Sequence, residues 1–182
     1  MSTSRILFFD LDGTLLDSRK LISEYTKDIL LKARQKGILL AVCSGRSYSM
    51  AVKLLENSDV SSLFDAYVCY NGLEVVDCSL GVRERLCVFK PEWMPKIIHK
   101  ARELGLEGCF FTYGDHDLWA TDPAPYITRV YTGLVPDMRI HKVEDDFASF
   151  DQTVLKMSYR EPEDFTVEKM EMIPLKVTIP VR

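Results

Sequence analysis

No stretch of this 182-residue sequence approaches the ~18 consecutive apolar residues of a membrane-spanning helix. The first apolar run, Ile6 to Phe9, is broken at once by Asp10, so no secretory leader is expected. Basic residues are not in excess. The 23 Lys and Arg stand against 27 Asp and Glu, a net charge of −4, which offers neither a nucleic-acid surface nor a polybasic membrane anchor. The five cysteines, Cys43, Cys69, Cys78, Cys87 and Cys109, are odd in number and form no CxxC pair. Most lie in apolar runs, so buried, reduced thiols in a cytoplasmic protein are expected. His99, His116 and His141 are scattered, without the HExxH spacing of a metal site. GxGxxG and GxxxxGK are missing, which removes support for dinucleotide and P-loop nucleotide sites. There is no internal repeat and no low-complexity segment.

What is present is ordinary globular material, 47% hydrophobic and 27% charged. The length suits one domain or two small ones. Up to about residue 72 the chain reads as strand–helix alternation. Ile6–Phe9, Ile38–Cys43 and Ala66–Tyr70 are short continuous apolar runs, as in strands of a parallel sheet covered on both faces. Ser23 to Lys36 reads as a helix, with Ile29, Leu30 and Ala33 at helical spacing, Ser23 as cap and Gly37 as stop. Tyr48 to Asn57 reads as a second helix, with Met50, Ala51, Leu54 and Leu55 on one face. The β-α-β-α-β order predicts an α/β fold on a Rossmann-like, doubly wound parallel sheet.

After Gly72 the pattern changes. Leu73–Asp77 and Val82–Phe89 flank the turn-prone 78–81 segment and predict a hairpin. A helix follows Pro91, with Trp93, Ile97, Ala101 and Leu104 expected along one face. Segments 109–113 and 117–121 flank Gly114 as another hairpin, and Pro123–Tyr131 reads as a further helix. Leu155, Met157 and Tyr159, then Leu175, Val177, Ile179 and Val181, alternate with polar residues or Pro180, as strands with one buried face do. The division drawn is residues 1–83, part of a core, and 84–182, a second α+β unit.

The chemistry concentrates in Phe8-Phe9-Asp10-Leu11-Asp12-Gly13-Thr14-Leu15-Leu16. Asp10 and Asp12 follow directly on a strand. In extended backbone they would point the same way, at the carboxyl end of the sheet where open α/β folds bind ligands. Gly13 permits a sharp turn whose N–H groups can face an anion, which makes Leu11, Gly13 and Thr14 candidate phosphate contacts. Two close carboxylates repel unless a cation is near, and Mg²⁺ held by Asp10 and Asp12 would supply one. Asp10 could then attack phosphorus and Asp12 could exchange the proton. The competing reading is a turn in which both aspartates cap the next helix. Ser44-Gly45-Arg46 closes the second strand and opens a helix, a natural phosphate contact, or else an ordinary turn with Ser44 as cap. Asn71, in Tyr70-Asn71-Gly72, could reach substrate from the same rim or form a plain Asn-Gly turn.

Asp10-Leu-Asp-Gly-Thr-Leu-Leu16 resembles the first motif of the haloacid dehalogenase-like superfamily. Ser44-Gly45-Arg46 resembles its second motif in the form used by Cof-like sugar-phosphate phosphatases, and Ile22-Ser23 and Tyr70-Asn71-Gly72 fit the same branch. The resemblance implies Asp10 as nucleophile and Asp12 as general acid and base. Mg²⁺ would sit on the Asp10 carboxylate and the Asp12 main-chain carbonyl. Ser44 would hold the phosphate of a small phosphorylated metabolite, and residues 84–182 would be an inserted cap.

Such proteins return from the cap to the core with a lysine and a Gly-Asp…Asp motif, and this chain is expected to end inside the cap. Gly114-Asp115-His116-Asp117 is expected to be a solvated turn rather than the acidic motif. Without the returning strand, one edge of Ile6–Phe9 is expected to be bare. Three readings follow: a Mg²⁺-dependent phosphatase, a phosphomutase-type phosphotransferase, and a truncated, non-catalytic chain with residual phosphate binding.

Overall fold

The computed structural model describes residues 5–86, 89–112, 116–120, 137–143 and 153–160. Its elements run β1 (Arg5–Phe9), α1 (Glu24–Gln35), β2 (Ile38–Cys43), α2 (Tyr48–Glu56), β3 (Ala66–Cys69), β4 (Glu74–Asp77), β5 (Val82–Arg85), α3 (Met94–Glu103), β6 (Glu107–Thr112), β7 (Asp117–Ala120), β8 (Arg139–Lys142) and β9 (Val154–Arg160). The fold is α/β on a mixed, parallel-led sheet of order β1-β2-β3-β4-β5. β1, β2 and β3 are parallel, with Leu7 opposite Leu40 and Val42 opposite Tyr67. Asp65 fixes this arrangement by accepting from Arg34 of α1 and from Leu40 N at 2.8 Å.

Ser23 caps α1, its hydroxyl accepting from Thr26 N, and Gly37 follows at φ 71°. In a β1-β2-β3 order, right-handed crossovers lay both helices on one face, and both touch the 61–63 turn. α2 buries the expected Met50, Ala51, Leu54 and Leu55. α1 buries Leu30, but Ile29 is exposed, since a twelve-residue helix with one covered stripe cannot bury adjacent positions equally. β1 departs from the expectation of strands covered on both faces. Among the described residues it lies at the sheet edge, with Ile6, Leu7 and Phe8 at 41%, 43% and 57% exposure.

The predicted hairpin forms, and β5 carries the first sheet past residue 83. Glu74 lies at its heart, 0% exposed. Arg83 grips it through Nε and Nη2 at 2.7 and 2.8 Å, and Arg85 Nε adds a contact at 3.1 Å. Arg83 also lies over the Tyr48 ring.

A second sheet has the order β8-β7-β6-β9, and β6 and β7 are the predicted hairpin strands. α3 packs on it out of the expected phase. It buries Met94, Ile98 and Ala101, while Trp93 is exposed in a 3-10 turn before the helix and Ile97 is only half-buried. That turn, with Pro95 in the first helical turn, puts Met94 and Ile98 inside in place of Trp93 and Ile97, while Ala101 and Leu104 are buried as expected. In β9 the buried residues are the adjacent Val154 and Leu155, because a bulge opposite Phe111/Thr112 interrupts the alternation. One buried cluster links the two sheets: Leu11, Leu15, Leu54 and Tyr70 share it with Leu118, Met138 and Leu155.

The cysteine expectation holds for buried Cys69, whereas Cys43 and Cys78 are exposed, since each stands at the end of its strand where cover stops. Asp117 is no solvated turn residue. It sits in β7, bound by Arg139 and His141. The helix expected over 123–131 and the strand over 175–181 lie outside the described residues, as do Cys87 and residues 113–115, where a turn is expected. Among the described residues no helix is long and apolar enough to cross a membrane.

Candidate functional site

β1 stops at Phe9, and the next seven residues sort by polarity. Leu11, Leu15 and Leu16 are buried, which turns Asp10, Asp12, Gly13 and Thr14 outward on the rim. Leu15 N donates to Asp10 O at 3.3 Å and Leu16 N to Leu11 O at 2.9 Å, and Gly13 closes the turn at φ 76°. A side chain would be strained at that φ. Leu11 is buried between the exposed Asp10 and Asp12, and the two carboxylates take different hydrogen-bond partners. Asp10 accepts from the Thr14 hydroxyl at 3.4 Å. Asp12 turns to Arg46 and Lys20 instead.

Arg46 binds Asp12 in bidentate fashion, Nε to Oδ2 at 2.7 Å and Nη2 to Oδ1 at 2.9 Å, and Lys20 Nζ reaches Oδ1 at 2.6 Å. The Arg46 hydrogen bonds, against modest burial and with help from Lys20, hold the Asp12 carboxyl far below the usual carboxylate range. The cation that two close aspartates call for is thus met in part by the chain's own side chains. Lys20 is absent from the sequence-based expectations. Its geometry comes from a tight 17–21 loop in which Arg19 N and Leu21 N donate to Asp17 Oδ1 at 2.8 and 3.0 Å, and Lys20 takes φ 62°. Nothing local in the sequence announces that reach.

Ser44, Gly45 and Arg46 link β2 to α2. Ser44 does not cap the helix: Ser47 does, accepting from Met50 N, because the helix begins only at Tyr48. The buried Ser44 hydroxyl accepts from Arg46 N at 3.2 Å. The end of β3 is tied to this loop, Tyr70 N donating to Arg46 O at 3.0 Å and Asn71 N to Ser44 O at 3.2 Å. Tyr70, Asn71 and Gly72 take φ of 51°, 58° and 94° to do so. A Cβ on Gly45 would lie 2.7 Å from Asn71 Oδ1, so glycine lets Asn71 close on the loop. The structure thus joins Asn71 to Ser44–Arg46, and Arg46 to Asp12. From the second sheet, Lys156 Nζ donates to Gly45 O at 2.8 Å.

Among the described residues no three His, Cys, Asp or Glu side chains converge as a metal cage. Mg²⁺ needs few protein ligands, often one or two carboxylates completed by water and phosphate. The Asp10 carboxylate, exposed and touched by the Thr14 hydroxyl, fits that demand. The Asp12 carboxylate, engaged by two cations, does not, and the second donor that the resemblance implies is its main-chain carbonyl.

A family model described as haloacid dehalogenase-like hydrolase matches residues 7–176. A relative from Buchnera aphidicola subsp. Schizaphis graminum (strain Sg) is 25% identical over 169 residues, 93% of this chain and 53% of its own length. A phosphomannomutase of Babesia bovis is 35% identical over 71 residues, 39% of this chain and 28% of its own. Among solved structures, the subclass IIB sugar phosphatase BT4131 superposes with a TM-score of 0.71 at 20% identity, over 93% of this chain and 62% of that one. That likeness is one of fold. The chain spans about half the length of the Buchnera relative it matches.

Proposed function

The chain belongs to the haloacid dehalogenase-like hydrolases, and on that premise we propose that its site serves hydrolysis of a small phosphorylated metabolite, a sugar phosphate above all, by way of an aspartyl-phosphate. The observation that carries this reading is the rim itself. An exposed Asp10 at the end of β1 faces the same end of the sheet as a Ser44–Arg46 loop that Asn71 closes and Arg46 ties to Asp12. Residues 1–83 read as part of the catalytic core and 84–182 as the cap.

In the first step an Asp10 oxygen bonds to phosphorus as the bond to the leaving oxygen breaks, and Asp12 gives that oxygen its proton. Asp12 cannot hold a proton near neutrality while Arg46 and Lys20 grip it. A substrate arriving as the phosphate monoanion competes for both cations and brings the proton, which passes to Asp12 before Asp12 hands it to the leaving oxygen. In the second step Asp12 takes a proton from water, whose oxygen displaces Asp10 from phosphorus. Main-chain N–H groups around Leu11, Gly13 and Thr14, the Ser44 hydroxyl and the Gly45 N–H would orient the phosphate. Mg²⁺ held by the Asp10 carboxylate and the Asp12 main-chain carbonyl would neutralise phosphate charge. Cys43, Cys69 and Cys78 form no disulfide, which suits a reducing, cytoplasmic setting.

The test is phosphate release from a panel of sugar phosphates, with and without EDTA, by wild type and Asp10→Asn. Release that needs metal and disappears in the variant is expected. Metal-independent release, or release retained by Asp10→Asn, refutes the mechanism. The similarity to a phosphomannomutase favours a second reading, transfer to a sugar hydroxyl, which accumulation of a sugar bisphosphate selects. Phosphate binding without either reaction selects a non-catalytic chain.

A further inference from the structure

Lys156 lies on β9, 111 residues from the loop it touches, and its ammonium donates to the Gly45 carbonyl at 2.8 Å in a partly buried setting. Its placement follows from register. Lys156 stands opposite Phe111, Phe111 opposite Leu118, and Leu118 opposite Ile140, one row across the second sheet. Leu118 and Ile140 belong to the apolar cluster shared with Leu11, Leu15 and Tyr70 of the first sheet. The row therefore faces the first sheet, and Lys156 introduces a charge into a largely apolar contact. Such a charge costs free energy unless a polar partner receives it. Here it ends on the residue between Ser44 and Arg46.

From this juxtaposition we infer that Lys156 is a phosphate-binding residue that the second sheet contributes to the Ser44–Arg46 loop. The inference rests on the reading of that loop as a phosphate site and extends it to a residue outside the first sheet. A charge-assisted lysine–phosphate bond is stronger than a neutral one. Because the ammonium arrives from the other sheet, phosphate bound there would draw the two sheets together.

The test is titration of the whole chain with inorganic phosphate, by calorimetry, for wild type, Lys156→Met and Lys156→Arg. Lys156→Met is expected to weaken phosphate about tenfold. It should raise KM for p-nitrophenyl phosphate similarly, with kcat changed less than about threefold. Lys156→Arg, which keeps the charge, should recover most of the loss. In a second measurement that needs no folded Lys156→Met chain, wild-type lysines are reductively methylated with ¹³C. The Lys156 signal, assigned by its loss in Lys156→Arg, should move on phosphate addition with the calorimetric midpoint. Unchanged phosphate affinity in Lys156→Met, or a Lys156 signal indifferent to phosphate, overturns the inference and leaves the phosphatase reading standing. Phosphate binding that depends on Lys156, without hydrolysis, overturns the phosphatase reading and supports the inference. A wild-type chain that binds no phosphate overturns both.

Discussion

Asp12 and Glu74 are each held by two cations, and the two clusters lie at opposite halves of one sheet. Glu74 is 0% exposed between Arg83 and Arg85 in the β4–β5 hairpin. The Asp12 side chain is 39% exposed between Arg46 and Lys20 on the rim of the parallel half. The Glu74 carboxylate is closed to water even though its Arg83 partner is partly exposed, so no incoming anion can take its place. The rim cluster is wet and can trade partners with an incoming anion. Burial, more than the number of ion pairs, decides whether such a cluster is a fastening or a working part. The edges agree. β5 ends the sheet with Arg83, Glu84 and Arg85, whereas β1 ends it with Ile6, Leu7 and Phe8.

Glu74→Gln tests the contrast most severely. Removing the charge leaves two guanidinium groups facing a neutral buried amide, and a loss of about 3–5 kcal/mol is expected in urea denaturation. A loss of under about 1 kcal/mol would make Glu74 no different from a surface pair. Asp12→Asn should do the reverse, with stability changed by less than about 1 kcal/mol and phosphate release slowed about 10²–10⁴-fold. Unfolding of the Asp12→Asn chain would erase the distinction.

A subtler check is carboxyl NMR. The Asp12 midpoint should lie below its ordinary 3.8, and Arg46→Met should raise it more than Lys20→Met, because the Arg46 hydrogen bonds dominate. Since the folded value is the lower one, Asp12 contributes its stability above pH 3.8 and loses it as pH falls toward the folded value. Equal effects of the two variants would show that Arg46 has no special grip. Phe8→Lys should have the smallest effect on stability, within about 0.5 kcal/mol. It should lower self-association in light scattering, because a charge blunts an open strand edge.

Much of this was legible in the sequence where the cause is local. Continuous apolar runs give β1, β2 and β3, and Ser23 caps α1 as its side chain predicts. The Asp10–Leu16 string locates the rim because its leucines and polar residues sort to opposite sides. Failures occur where a nonlocal or irregular feature intervenes. A 3-10 turn changed which residues the start of α3 buries, and a bulge broke the alternation in β9. Ser47 took the cap that Ser44 could have filled. Lys20 and Lys156 escaped notice because one depends on a left-handed backbone turn and the other on a partner 111 residues away.

The Lys156–Gly45 bond also has a meaning in time. Contacts between residues far apart in sequence carry a large loop-closure cost and tend to form after local ones. The β1–α1–β2 and β2–α2–β3 units and the β4–β5 hairpin can each assemble from neighbouring chain. The cation from β9 can reach Gly45 only once β9 has paired with β6 and the second sheet has met the first. The loop would therefore receive its third cation at the end of folding, so that a half-folded chain would present a weaker anion site than the finished one.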